Sequence, residues 1–252
     1  MGDRAEMDNS RTLTLALDTS MAVSSAVLLD GAEVLAARAW RAGRKHSVHV
    51  EPNVRDVTRG KSERVGTVAV AAGPGGFSSL RTSMAFAKGL CSALGLGFAA
   101  VPTPVALAYS SPTDVESILT LIPAGSGRYF AQAFERARPS DQFLEGSSER
   151  RTLPEAKGDC FVVNAEALHE IISGPVFVAG HVSEEDLDRM RETSSWSIEF
   201  DAELIESGLA RFVGLAAYHD SEPARPTNAI TAIPQYMRGA GITVPARGWA
   251  RA

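Results

Sequence analysis

A short apolar run, Val65 to Ala72, breaks into Gly73-Pro74-Gly75-Gly76 and passes at once into a stretch with helical spacing. A continuous apolar run bounded by glycines is the pattern of a strand covered on both faces. Such strands belong to sheets flanked by helices, which points to an α/β fold. The glycines would also bring backbone N–H groups to a helix start, where the dipole favours anions. In the helix that follows, Leu80, Met84, Ala87, Cys91 and Leu94 share a face, and Ser78 or Ser79 is the expected cap. Ala85, Gly89 and Ala93 are small residues on the same helix that allow another helix to come close.

The segments around this turn give it a setting. Leu13, Leu15 and Leu17 alternate with Thr12, Thr14 and Ala16 and end in Asp18-Thr19-Ser20, a strand closed by turn residues. Val23 to Leu29 and Glu33 to Trp40, joined at Asp30-Gly31, extend it into an antiparallel meander. Val50, Val54 and Val57 then mark a helix stopping at Arg59-Gly60, with Pro52 tolerable only near its first turn. Phe98 to Val101 is a further strand, closed by Pro102-Thr103-Pro104. The order β-β-β-α-β-α-β is the half-unit of ribonuclease-H-like and actin-like folds.

Further on, Ile118 to Ile122, Arg128 to Phe134 and Val176 to Ala179 read as strands, Glu184 to Glu192 and Ala202 to Ala217 as helices, and Arg136 to Arg151 as an exposed loop. The expected organisation is two lobes of mixed sheets flanked by helices, 12–110 and a smaller 111–240, between tails at 1–11 and 241–252.

The 252 residues carry 25 Lys and Arg against 30 Asp and Glu, a net charge of -5, so no global positive field exists to hold a phosphate backbone. Cys91 and Cys160 fit neither a disulfide framework nor a zinc site, and a reducing cytoplasm is the expected compartment. The polar start lacks the apolar core of a signal peptide. The uncharged run from Gly89 to Thr113 is broken by Gly95, Gly97, Pro102, Pro104 and Pro112, so no membrane span is expected.

Asp18 and Thr19 at one strand end, with Gly73 and Gly75 at another, are candidate phosphate-binding residues of a vestigial kind. The turn has no lysine and matches neither G-x-x-x-x-G-K-[ST] nor G-x-G-x-x-G. A tight turn that needs glycine is the alternative. His46 and His49, three apart, are two metal ligands without a third. Cys91 lies on an apolar helix face, and neither Ser78 nor Ser79 sits in a G-x-S-x-G elbow. Arg41, Arg44 and Lys45 form a local basic cluster beside His46. No complete catalytic set emerges.

The ordered set Leu15-Ala16-Leu17-Asp18-Thr19-Ser20, Arg44-Lys45-His46-Ser47, Gly73-Pro74-Gly75-Gly76-Phe77-Ser78-Ser79-Leu80-Arg81, Ala87-Lys88-Gly89-Leu90 and Pro102-Thr103 resembles the TsaB family, also called YeaZ. Ile233-Pro234-Gln235-Tyr236-Met237-Arg238 is a weaker match. The resemblance implies an actin-like, two-lobed fold of the ATPase superfamily without a working active site. It implies a non-catalytic scaffold for a TsaD-like subunit, which threonylcarbamoylates adenosine 37 of tRNA with help from a TsaE-like ATPase. ATP and metal are expected on those partners, with no cofactor on this chain, and tRNA is contacted only indirectly. The alternatives are an ATP-binding actin-like kinase or ATPase and a metallopeptidase of the type once assigned to the wider family.

Docking is expected through helices His46 to Arg59 and Ser78 to Leu94, to a second copy or to the TsaD-like subunit, with His46, Val50, Val54, Leu80, Met84, Lys88 and Gly89 as the interface. The chain departs from the family at Pro123 to Tyr129, which lacks an Asp-Ala-Arg-like turn, and in having His46-Ser47-Val48-His49 where His-Ser-Glu is usual.

Overall fold

Leu13, Leu15 and Leu17 lie in the core on strand β1 (Leu13–Asp18), the centre of a five-stranded sheet. β2 (Ser24–Asp30) and β3 (Glu33–Trp40) complete the meander, and Gly31 takes the left-handed conformation (φ 58°) that the hairpin turn requires. Helix α1 (His46–Val57) leads through a 3-10 turn to β4 (Val65–Ala71), which runs parallel to β1. Helix α2 (Phe77–Leu94) ends on left-handed Gly95 and delivers β5 (Gly97–Val101), parallel to β4. The order is β3-β2-β1-β4-β5. Val50, Val54, Val57, Met84, Ala87 and Cys91 of α1 and α2 are packed in one core with Leu15, Val68 and Val70. The structure is a computed structural model describing residues 12–41, 46–136, 153–171, 174–193, 198–200, 208–219 and 232–234.

Helix α3 (Thr103–Ser110) leads into a second unit: β6 (Ser117–Gly125), β7 (Arg128–Arg136), β8 (Pro154–Ala156), β9 (Phe161–Asn164), α4 (Leu168–Ile171), β10 (Val176–Gly180), α5 (Glu184–Thr193) and β11 (Ile198–Phe200). Its sheet runs β11-β10-β6-β7-β8, with β9 also on β7. β6 is antiparallel to β7 and parallel to β10, and β10 is parallel to β11, the arrangement that β1, β2, β4 and β5 have in the first unit, with β9 as an additional strand on β7. Its own core gathers Leu119, Leu121, Tyr129, Val163, Leu168 and Met190. Two lobes therefore repeat one topology with no repeat visible in the sequence.

Helix α6 (Ala210–His219) then returns to the first unit and packs on β1, β2, β4 and β5. The compact units are consequently 1–103 with 206–235, and 104–205 with 236–252, rather than the expected 12–110 and 111–240. The helix expected over 202–217 begins at Ala210, after Gly208 in a left-handed conformation (φ 74°), and residues 201–207 lie outside the description.

Other differences have local causes. Pro52 sits in the middle of α1, not in its first turn. Its ring is on the exposed side, Asn53 Nδ2 donates to the His49 carbonyl at 2.7 Å, and the three buried valines hold the helix to the sheet. No serine caps α2, because the helix starts at Phe77 with Gly76 in the cap position. Ser79 Oγ instead donates to the Gly76 carbonyl. Arg136, expected to open a loop, ends β7 and is buried, and the rest of that loop lies outside the described residues.

Candidate functional site

The residues proposed for phosphate do meet at the ends of β1 and β4. Asp18 is fully buried, and its Oδ1 accepts from the Ser20 amide at 2.8 Å and the Ser20 hydroxyl at 2.6 Å. Among the described residues Oδ2 has no partner in hydrogen-bonding geometry. Burial pushes this carboxyl up to about 6, against the lowering pull of Ser20 and of the Leu209 amide, which faces it without completing a bond to Oδ2. Thr19 Oγ1 donates toward α2, within 2.8 Å of both the Ser79 carbonyl and Ser83 Oγ. The Gly73 carbonyl accepts from the Thr103 amide at 2.9 Å.

A nucleotide phosphate would need free amides and space at the turn. Here the Gly76 amide donates to the Ser20 carbonyl at 2.9 Å, and a Cβ on Gly75 would lie 2.5 Å from that same oxygen. The cradle is filled by the chain's own backbone, and the acidic residue beside it is sealed. These residues do not fit a nucleotide phosphate.

The two helices expected to dock turn four of the expected interface residues inward. Val50, Val54, Leu80 and Met84 are at most 6% exposed, all but Leu80 within the first unit's core cluster, so they cannot meet a partner. The strongest apolar stripe of each helix is satisfied by its own sheet. The outward face of α2 instead carries Arg81, Ala85, Gly89 and Ala93 at four-residue intervals, all exposed. At its ends Phe77 is 55% and Leu94 51% exposed, and Val48 of the neighbouring α1 is 60% exposed. The Arg81 guanidinium lies over the Phe77 ring, 4.7 Å from its centre. A Cβ on Gly89 would meet nothing within 4 Å. Lys88 is half-buried, and the side chains of His46 and Ser47 lie outside the described residues.

The remaining candidates disperse. Among the described residues no group of three or more His, Cys, Asp or Glu could hold a metal ion. Arg44 and Lys45 lie outside the description. Cys91 is buried, donates to the Gly97 carbonyl at 3.3 Å, and has its thiol pushed up to about 11 by burial, so it is no thiolate nucleophile at neutral pH. Among the described residues no helix is long and apolar enough to cross a membrane.

Two units whose sheets each run third, second, first and then two parallel strands, with β9 added on β7 in the second and helices against the sheets, define the actin-like class. Two solved structures from Pseudomonas aeruginosa share this fold. One is described as an uncharacterized protein with similarity to peptidase YeaZ (TM-score 0.70, 22% identity), the other as YeaZ (TM-score 0.69, 23% identity). Each alignment covers 90% of this chain and 100% of the other. The chain belongs to the family described as TsaD, tRNA N6-adenosine threonylcarbamoyltransferase, whose family model matches residues 40–170, just over half its length. The expected resemblance is borne out by the TsaD family model and, in fold, by the likeness to the YeaZ structures. No curated protein sequence matches the chain.

Proposed function

We propose that this chain is a non-catalytic partner of a TsaD-like subunit in threonylcarbamoyl transfer to tRNA adenosine. The observation that carries the reading is the outward face of α2: a row of small side chains ending in Phe77 and Leu94, beside exposed Val48. Large apolar side chains exposed beside a row of small ones leave apolar surface that a partner would cover. Small residues let a second helix approach closely. In this reading the partner holds metal and ATP, a TsaE-like ATPase acts on the complex, and RNA is gripped elsewhere than on this acidic chain, within the cytoplasm. The same face pairs two copies of the chain when the partner is absent.

The test is co-purification with the cognate TsaD-like subunit, followed by sedimentation of the mixture. Gly89→Arg with Ala93→Arg places two like charges, which cannot pair with each other, on the outward face while touching nothing in the core, so the variant should fold normally and lose the complex. A change at Met84 would not serve, because it is 2% exposed in the first unit's own core. Failure of the parent chain to associate would remove the reading.

A further inference from the structure

The strand-end cluster has an occupant within the chain. Where α6 begins, the Ala210 amide donates to Ser25 Oγ at 2.9 Å, across 185 positions of sequence. The preceding Leu209 amide faces Asp18. Gly208 lies so close that a Cβ there would sit 2.5 Å from Ser25 Oγ. Asp18 and Ser25 are themselves paired residues of β1 and β2, so neighbouring strands present both groups to the helix start. The first amides of a helix have no partner within it and need acceptors from elsewhere. The Ser25 hydroxyl supplies one such acceptor by a direct bond, and the Asp18 carboxylate adds its negative charge beside the next amide, where the dipole favours it.

We propose that Asp18 and Ser25 form an internal cap that latches α6 onto the sheet, with the Ser20 carbonyl closing the glycine turn, so that this cluster binds the chain's own backbone instead of a nucleotide phosphate. Each group that could serve an oxyanion has a competing role. The Gly76 amide is bonded to Ser20, Thr19 is bonded to α2, and the Asp18 carboxylate would repel a phosphate while being sealed from any bridging cation. The fold thus keeps the strand-end acid and the glycine turn but gives them to the C-terminal helix. This inference goes beyond the docking role, which can hold or fail independently of it.

The experiment has two arms on the full-length chain. Calorimetric titration with magnesium-ATP, magnesium-ADP and inorganic phosphate to millimolar concentration should give no saturable binding. Saturable binding lost in Asp18→Asn would overturn the proposal. In hydrogen exchange, Ser25→Ala should speed the amides of residues 209–214 by tenfold or more while leaving those of β4 unchanged, and equal exchange in both proteins would overturn it too. The titration decides even if Ser25→Ala does not fold.

Discussion

Asp18 shows how a residue type can keep its place and change its work. The carboxyl titrates near 6 in the folded chain against an ordinary 3.8. Between those values the folded chain holds a proton that the unfolded chain has released. Stability therefore is fully present below about pH 4, declines as pH rises toward 6, and stays lower above it. A shift of about two pH units corresponds to about 3 kcal/mol at most. Asp18→Asn keeps an oxygen for Ser20 and removes the buried charge. In urea unfolding the parent should lose about 1–3 kcal/mol between pH 4 and pH 7.5, and Asp18→Asn should not show that loss, whatever the substitution costs the α6 cap at both pH values. The same loss between pH 4 and pH 7.5 in variant and parent would refute a buried, disfavoured charge. Two glycines make a complementary pair. Gly75→Ala, facing the rigid Ser20 carbonyl at 2.5 Å, should cost about 1–3 kcal/mol, whereas Gly89→Ala meets nothing and should gain about 0.5–1 kcal/mol from helix propensity. Thermal unfolding of the isolated chain checks both signs.

At the scale of elements, Arg136 ties the end of β7 to α3. Its guanidinium donates to the Pro112 carbonyl at 2.6 Å, to Ser111 Oγ at 3.1 Å and to the Ala108 carbonyl at 3.4 Å. The last carbonyls of a helix need donors, and a cation there also meets the negative end of the dipole. Arg136→Met should cost about 2–4 kcal/mol in denaturant unfolding, and a loss under about 0.5 kcal/mol would show that solvent serves those carbonyls as well. The strands and α2 were legible because period-two and period-3.6 patterns run long there. α3 was missed although Thr103-Pro104 is a helix-start signal, because Pro102-Thr103-Pro104 reads equally as a stop. β8 and β9 are three and four residues long, too short for a pattern. Val50, Val54, Leu80 and Met84, expected at an interface, are buried for a deeper reason. Periodicity finds the most apolar stripe of a helix, and that stripe belongs to the helix's own core; Leu80 and Met84 went inward, leaving the weaker small-residue row outside.

For the whole molecule, the decisive contact was invisible in sequence, since Ser25 and Ala210 have no pattern that relates them. Their bond also predicts what truncation does. A chain ending at residue 205 lacks α6 and uncovers the sheet face of β1, β2 and β4, while the second unit keeps its sheet. Hydrogen exchange on that truncation should show fast exchange across 12–103 and protection retained in β6, β7 and β10. Protection surviving in β1 and β4 would show that α6 is dispensable to the first sheet.

The return of the chain to its first sheet also fixes an order of events during synthesis. Residues 12–103 emerge first with α1 and α2 against one face of their sheet, yet the other face, where Ala16 and Leu29 meet Gly214, lacks its cover until residue 219 has left the ribosome. The strands and helices of the second unit, all within 104–205, are by then complete. Domains of a growing chain generally fold from the N-terminus. In this protein the lobe begun first is the lobe finished last, and its apolar sheet face waits through the making of about a hundred residues for the helix that closes it.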